Sequence, residues 1–375
     1  MASINRRADR GNRWEVRYRD PTGKQRARLF DRRADADQFL TSTEHSKLTG
    51  AYLDPVHGRI TVARFVDEHY RATMVGLEPS SRVRDESYLR THIIPAFGDR
   101  PLASIGYTDC QTWVNELSTR RAPATVVKAA QIMGKVMKTA VRSRRIAHNP
   151  MAEVSLPTIT EPEDIYLTPA QVESLADAMG EVGARYRALV WLGCYGGPRI
   201  GELLALRWSD IDVLRRTVTI SRKVIEVSGE GMVEGATKTK AGRRTVTLPR
   251  RVMTEVEQHR AAFPSDVLVF TSAAGEQIRA NNLRRRAWAS AVRRAGLDGL
   301  TFHDMRHTAV SLWVAAGASD LEVAKWAGHR SAAFTKSRYA HLFPEHGEAL
   351  ADRLDAFIAS STPTPAAAVV PIRPL

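Results

Sequence analysis

The sequence predicts a multidomain α+β protein. It has a small N-terminal β-sheet plus helix, an all-helical middle segment, and a mainly helical C-terminal segment holding a small antiparallel β-sheet. Three observations predict this. Trp14, Val16 and Tyr18 alternate with Glu15, Arg17 and Arg19, the period of a half-buried strand. Residues 61–155 space their apolar positions by threes and fours, the period of helices. SLPTITEPEDIY, residues 155–166, has two prolines and no periodicity and separates two patterned regions. With 375 residues there is length for two or three cores.

The N-terminal strand leads into a turn at Asp20-Pro21-Thr22-Gly23, and Gln25 to Phe30 forms a return strand. A helix follows through Ala34, Asp37, Gln38 and Phe39. Residues 1–33 hold 11 Lys and Arg against 4 Asp and Glu, which predicts arginines displayed on one face of this sheet. GAYLDPVHGR at 50–59 reads as a boundary loop. The strongest helix of the middle segment starts at Pro123 and buries Val126, Ala130, Met133, Met137, Ala140 and Val141. Arg142, Arg144 and Arg145 crowd its end, where cations suit the helix dipole and where they could also touch a DNA backbone. After the linker, Thr168, Pro169 and Gln171 form a capping box that opens a new helix. Helices continue to about 208, two or three strands fall between 217 and 248, and helices return to about 359. TPTPAAAVVPIRPL, at the end, reads as a disordered tail over 360–375.

Lys and Arg number 55 against 41 Asp and Glu, a net charge of +14, which points to a polyanionic partner such as nucleic acid. Cys110 and Cys194 are the only cysteines, too few for a disulfide framework or a Cys-rich zinc module. No apolar run suits a membrane span or signal peptide, so a soluble protein of a reducing compartment is expected.

Four stretches could carry chemistry. In CYGGPRIGELLALRW, residues 194–208, Gly196-Gly197 is a turn, Pro198 suits the first position of a helix, and Arg199 lies at that helix's N-terminus. Glu202 follows three residues on. The pair is either a structural ion pair, which the segment alone favours, or a phosphate clamp. In EGATKTKAGRRTVTLP, Lys238 and Lys240 lie near the tip of an expected hairpin, where a lysine either keeps the loop soluble or donates a proton to a leaving oxygen. HDMRH at 303–307 has two readings. His303 and His307, four apart, suit a zinc site, but Asp304 stands where such sites carry Glu and Arg306 would sit beside the cation. His303 and Arg306, three apart, suit a phosphate better. Finally, LEVAKWAGHRSAAFTKSRYAHLF at 321–343 predicts a short helix burying Leu321, Val323, Ala324 and Trp326. Gly328 ends it, His329 follows, and Tyr339 stands ten residues later as a core aromatic or a nucleophile.

Taken in order, Arg199-Ile-Gly-Glu202, a strand-borne Lys238, His303-x-x-Arg306, Gly328-His329 and Tyr339 resemble the tyrosine recombinase (phage integrase) family over about 140 residues. Pro198 is the departure, since a small or apolar residue is usual there. The resemblance implies a site-specific DNA recombinase, an integrase acting for a phage or mobile element by a metal-free reaction with no cofactor. Tyr339 would attack a DNA phosphate to form a 3′-phosphotyrosyl bond and release a 5′-hydroxyl. Arg199 and Arg306 would clamp the nonbridging oxygens. His303 and His329 would donate to the phosphate or move the proton of Tyr339, and Glu202 would orient Arg199 or the adjoining strand. Lys238 would be the general acid, with Lys240 as rival.

The same resemblance implies an arm-type DNA-binding domain over 1–55, a helical core-DNA-binding domain over 60–155 and a catalytic domain over 165–355. Arg17, Arg19, Lys24, Arg26, Arg28, Arg142, Arg144, Arg145, Lys240 and Arg243 are the expected DNA contacts. The implied partners are double-stranded core and arm DNA, a homo-tetramer on that DNA, a DNA-bending accessory protein and an excision factor, with no membrane, in a bacterial cytoplasm. A DNA-architectural protein and a zinc hydrolase built on His303 and His307 are the competing classes. The complete set around Tyr339 argues against the first and Arg306 against the second.

Overall fold

The computed structural model describes residues 2–20, 23–48, 57–160, 164–227, 229–237, 242–329 and 331–342. The chain divides between 162 and 163 into two compact units.

The first unit holds two separate cores. In the smaller, β1 (Ser3–Arg7), β2 (Arg13–Arg19) and β3 (Gln25–Phe30) form an antiparallel sheet in that order, and α1 (Arg33–Leu48) covers one face. Val16, Tyr18 and Ala36 are buried, with Trp14, Phe30, Phe39 and Leu40 packed around them. The edge strand β1 was not expected from the sequence. Its polar run SINRR carries no alternation of its own and gains its place by pairing with β2.

Register corrects the expectation that the arginines share one face. Arg17 pairs with Ala27, whereas Arg26 lies opposite Tyr18 and Arg28 opposite Val16. Directly paired residues point the same way, so Arg17 and Arg19 line the open face while Arg26 and Arg28 belong to the face that α1 covers. Arg28 accordingly lies over the Phe30 and Phe39 rings at 5.1 and 4.9 Å. Arg26 pairs with the buried Asp20 at 3.1 Å. On the open face Arg17 pairs at 2.9 Å with Glu15, itself buried. Arg19 donates to the Gly23 carbonyl, and Lys24 is exposed.

The second core belongs to helices between 62 and 142. α2 (Tyr107–Ser118) and α3 (Pro123–Arg142) are the longest. Pro123 occupies the first turn of α3, where its missing N–H costs nothing. Val126, Ala130, Met133, Met137 and Ala140 are buried, and Val141 is half-buried at the rim. Arg142 and Arg144 are exposed just beyond, while Arg145 lies against His69 at 3.2 Å.

The second unit is helical around two small sheets. α4 (Pro169–Val182) opens on the expected box, with the Gln171 N–H donating to Thr168 Oγ1 and the Thr168 N–H to Gln171 Oε1. α5 (Arg187–Gly196) is buried along its length and packs against α8 (Phe302–Ala315). Gly193 lets the two meet, since a Cβ there would lie 2.6 Å from the Met305 sulfur. α6 (Ile200–Leu203), α7 (Arg250–Ala262), α9 (Asp320–Ala327) and α10 (Ala332–Tyr339) complete the set used below. Val323, Ala324 and Ala327 anchor α9. Leu321, expected inside, is 69% exposed, and Trp326 is half-buried.

β4 (Ile211–Asp212), β5 (Thr217–Ile220) and β8 (Arg244–Thr247) form one sheet, in the order β4-β5-β8. β6 (Arg222–Val227) and β7 (Gly231–Ala236) form a separate ribbon. The expected hairpin around Lys238 and Lys240 is therefore corrected. β7 pairs with β6 and β8 with β5, so the strands on either side of the two lysines belong to different sheets. Both lysines lie outside the described residues, as do the tail over 360–375 and the helix expected near 345–359. Among the described residues no helix is long and apolar enough to cross a membrane.

Candidate active site

Three arginines converge in the second unit around one buried carboxylate. Gly197 ends α5 with φ +63°, a conformation that favours glycine, and its carbonyl accepts from Arg306 Nη1 at 2.8 Å and Arg244 Nη2 at 3.4 Å. Pro198 follows outside the helix, which corrects its expected place at the first helical position. Arg199 is the N-cap of α6, and its N–H donates to Glu202 Oε2 at 2.9 Å. Glu202 also holds Arg199 Nη1 at 3.1 Å and Arg244 Nη2 at 2.9 Å. Arg244 and Glu202 are buried, whereas the Arg199 side chain is 48% exposed.

Gly197→Ala is expected to destabilise the fold by at least about 1–2 kcal/mol, the cost of a left-handed L-residue. The added Cβ would also lie 2.7 Å from the Trp313 ring. Equilibrium denaturation checks this, and an unchanged midpoint would refute the strain.

Arg306 is 2% exposed on α8. Its second nitrogen donates to the Ala327 carbonyl at the end of α9. Burial and the neighbouring Arg199 and Arg244 push its guanidinium well below the usual arginine range. Arg244 Nε likewise donates to the Trp326 carbonyl at 2.6 Å. Two guanidiniums thus share one carboxylate while Arg306 is held by backbone carbonyls alone, an excess of positive charge that suits an anion.

The imidazoles respond to the same field. Gly328 turns the chain at φ +67°, and the His329 Nδ1 then meets Thr335 Oγ1 at 2.8 Å. Burial first, then Arg306, Arg199 and Arg244, pull His329 down to about 4. His303 lies at the exposed rim, its pKa lowered by desolvation, His307, Arg306 and Arg199. Tyr339, at the end of α10, is 2% exposed, and its ring lies parallel to His329 at 6.0 Å. Burial raises its pKa, while Arg306 opposes that rise.

The sequence had set Tyr339 among His303 and His329, but it is His307 Nδ1 that meets the hydroxyl, at 2.8 Å. His307 had entered only as a zinc candidate. Its ring stands perpendicular to His303 at 4.7 Å. Among the described residues no group of three His, Cys, Asp or Glu could hold a metal ion. Asp164, read as linker, and Arg244 were also missed. Arg244 had a signal, because it shares strand parity with the buried Val246 and Leu248. Arg243, with the opposite parity, is exposed. Arg243, Arg244, Lys325 and His329 line a cavity of about 880 Å³ beside the site.

The depressed histidines set a pH dependence. Unfolded, each binds its proton near pH 6.5; folded, His329 binds it only near 4. Between those values the unfolded chain carries more protons, so stability is lost as pH falls from about 6.5 to about 4. The thermal midpoint is expected to drop in that window, and sulfate is expected to shrink the drop by favouring the imidazolium forms. His329→Gln should drop less, and a wild-type midpoint flat across the window would refute the assignment.

Residues 166–346 match the model of the phage integrase family, and residues 62–156 match that of the phage integrase central domain. The integrase of Mycobacterium phage D29 is 26% identical over 338 residues, which cover 86% of this chain and 88% of that protein. An integrase of Streptomyces ambofaciens is 26% identical over 373 residues, covering 90% and 94%. Among solved structures, the Tn1549 transposon integrase in complex with transposon right end DNA superposes with a TM-score of 0.66. It is 21% identical and covers 79% of this chain and all of that one. A lambda integrase tetramer bound to a Holliday junction gives 0.58 at 18% identity, covering 92% and 95%. These likenesses fix a helix-rich fold with small antiparallel sheets.

Proposed function

The chain belongs to the phage integrase family and is a site-specific DNA recombinase, and we propose that it cuts and rejoins DNA through a 3′-phosphotyrosyl bond on Tyr339. One observation carries this reading. Tyr339 is buried in the field of Arg306 and Arg199, and Arg199 shares the Glu202 carboxylate with Arg244. Such a site is preorganised for the charge that develops on a phosphate under attack.

Arg199, half-exposed and steadied by Glu202, and Arg306, held by two backbone carbonyls, clamp the nonbridging oxygens. A guanidinium has five N–H donors, so Arg306 keeps several for the phosphate. Neutral His303 and His329 donate to the same oxygens. Lys238 protonates the leaving 5′-oxygen, with Lys240 as the alternative. The bond energy is kept in the phosphotyrosine, and rejoining needs no nucleotide. Residues 1–55 bind arm-type DNA, with Arg17, Arg19 and Lys24 available on or beside the open face. Residues 60–155 bind core DNA with the help of Arg142, Arg144 and Arg145. Residues 165–355 carry the catalysis, with Arg243 on DNA. The working assembly is a tetramer on DNA in the bacterial cytoplasm, aided by a bending protein and an excision factor.

The test places the DNA flanking the protein's own gene on a supercoiled plasmid and adds wild-type protein in EDTA. Relaxed topoisomers and a protein-linked DNA band are expected. Activity that appears only when zinc is supplied, from protein carrying one zinc per chain, would overturn the reading in favour of His303 and His307 as metal ligands.

A further inference from the structure

The proposed nucleophile touches a side chain to which the mechanism above gives no role. Nδ1 of His307 lies 2.8 Å from the Tyr339 hydroxyl. On the far side of the ring, Nε2 faces Asp164 Oδ1 at 3.6 Å. Asp164 comes from the stretch before α4, and three bonds keep it there. Leu167 N–H donates to Thr308 Oγ1 at 3.1 Å, pinning that stretch to α8 beside His307. Arg338, the residue before the tyrosine, holds Asp164 Oδ1 at 2.7 Å, and the Tyr166 hydroxyl reaches Oδ2 at 3.3 Å. Nucleophile, imidazole and carboxylate thus stand in line, the arrangement by which a base activates a hydroxyl and is itself oriented by a third group.

We propose that His307 is the general base of this reaction, taking the phenolic proton of Tyr339 as the phosphate is attacked, with Asp164 orienting and steadying the imidazolium. The inference rests on the reading of Tyr339 as nucleophile. The O–H bond of Tyr339 breaks as its oxygen bonds phosphorus, and the proton passes to Nδ1. The bond to the 5′-oxygen breaks, and that oxygen leaves with a proton from the lysine general acid. In rejoining, His307 returns its proton to the departing phenolic oxygen.

The groups around His307 suit the task. His303, Asp304 and Arg306 face it from its own helix, Arg338 and Tyr339 from α10, and Asp164 and Tyr166 from the stretch before α4. His329 also acts on it electrostatically. Burial first, with Arg338 and Arg306, lowers its pKa, while Asp164 and Asp304 oppose that. At neutral pH the ring is therefore uncharged, with a lone pair to accept the proton. Nδ1 accepts only when the hydrogen sits on Nε2, the nitrogen that faces Asp164. Burial keeps Tyr339 protonated, so it needs such a base. His303, at the exposed rim, is left to donate to the phosphate.

The first measurement needs no DNA. Nitrogen shifts of His307 in the 15N-histidine-labelled full chain are expected to show the Nε2–H tautomer near pH 7.5. The Nδ1–H tautomer or an imidazolium would overturn the proposal. The second uses the plasmid assay above. His307→Asn, similar in size and able to hydrogen-bond but not basic, is expected to slow adduct formation by about 10²–10⁴-fold, with DNA affinity within a few-fold of wild type. The acid limb of the wild-type pH–rate profile should vanish in it. Imidazole should restore adduct formation to His307→Ala at least tenfold and leave Tyr339→Phe inactive. Should His307→Ala fail to fold, Asp164→Asn serves in its place. Losing that carboxylate should move the acid limb to lower pH. Adduct rates within about threefold of wild type, or slow variants with the limb intact and no rescue, would make His307 a packing residue. Mapping the linked peptide separates the two failures. An adduct on another residue sinks the nucleophile assignment, whereas an adduct on Tyr339 indifferent to His307 sinks only this inference.

Discussion

Tyr339→Phe is expected to bind DNA like the wild type and to form no covalent adduct, a loss on the order of 10⁴-fold or more, because the nucleophile is removed. The substitution takes away one oxygen. The ring keeps its parallel packing on His329, and the arginines that would bind phosphate lose no partner. What is lost locally is the hydrogen bond to His307 Nδ1, worth about 1 kcal/mol of stability. Binding and chemistry should therefore separate cleanly, by gel shift for the first and by denaturing gel for the second. An adduct from this variant would move the assignment to another nucleophile. Tyr195 is the nearest alternative in kind, but its ring is stacked on Trp191 at 5.3 Å and its carbonyl accepts from Trp313 Nε1, a packing role.

How much of this was legible in the sequence depends on how far away each partner lies. The start of α4 could be read because Thr168 and Gln171 satisfy one another within a single turn. α3 could be read from Pro123 and a periodic apolar face, and α9 from its terminal Gly328. β1 could not, since its pairing with β2 is the whole reason it is a strand. The same blindness made a hairpin of the Lys238 segment, where β8 takes β5 as its partner across an intervening ribbon. In the candidate site, Arg199, His303, Arg306, His329 and Tyr339 were proposed from their order along the chain, which family resemblance supplies. What holds them was hidden. Arg244 reaches Glu202 across 42 residues and Asp164 reaches Arg338 across 174. A buried charge tells of a partner somewhere, but spacing does not say which. His307 is the instructive case. Its four-residue spacing from His303 was noticed, yet the residue it touches lies 32 positions on.

Glu202→Ala is expected to cost about 3–5 kcal/mol, because it strands buried charge rather than merely deleting a contact. Among the described residues the carboxylate is the one anion holding Arg199 and Arg244, and Arg306 stands close enough that its own pKa responds to it. Without it three guanidiniums face one another in a region where Arg244 and Arg306 have almost no water. The α6 N-cap also loses its bond from the Arg199 N–H. Glu202→Gln should cost less, since an amide oxygen can still accept, but its NH₂ group then turns a donor toward one of the arginines. The cost should depend on anions. Sulfate or bound DNA supplies the negative charge the variant lacks, so the gap between variant and wild type should narrow as sulfate is raised in a denaturant titration. If the loss were below about 1 kcal/mol, or the same with and without sulfate, the arginines would not form a charge-frustrated cluster, and the argument that this site awaits a phosphate would lose its main support. The expected coupling ties stability to function at one residue: Glu202 keeps the site folded at some cost in attraction for the anion, and the anion completes what Glu202 leaves unbalanced.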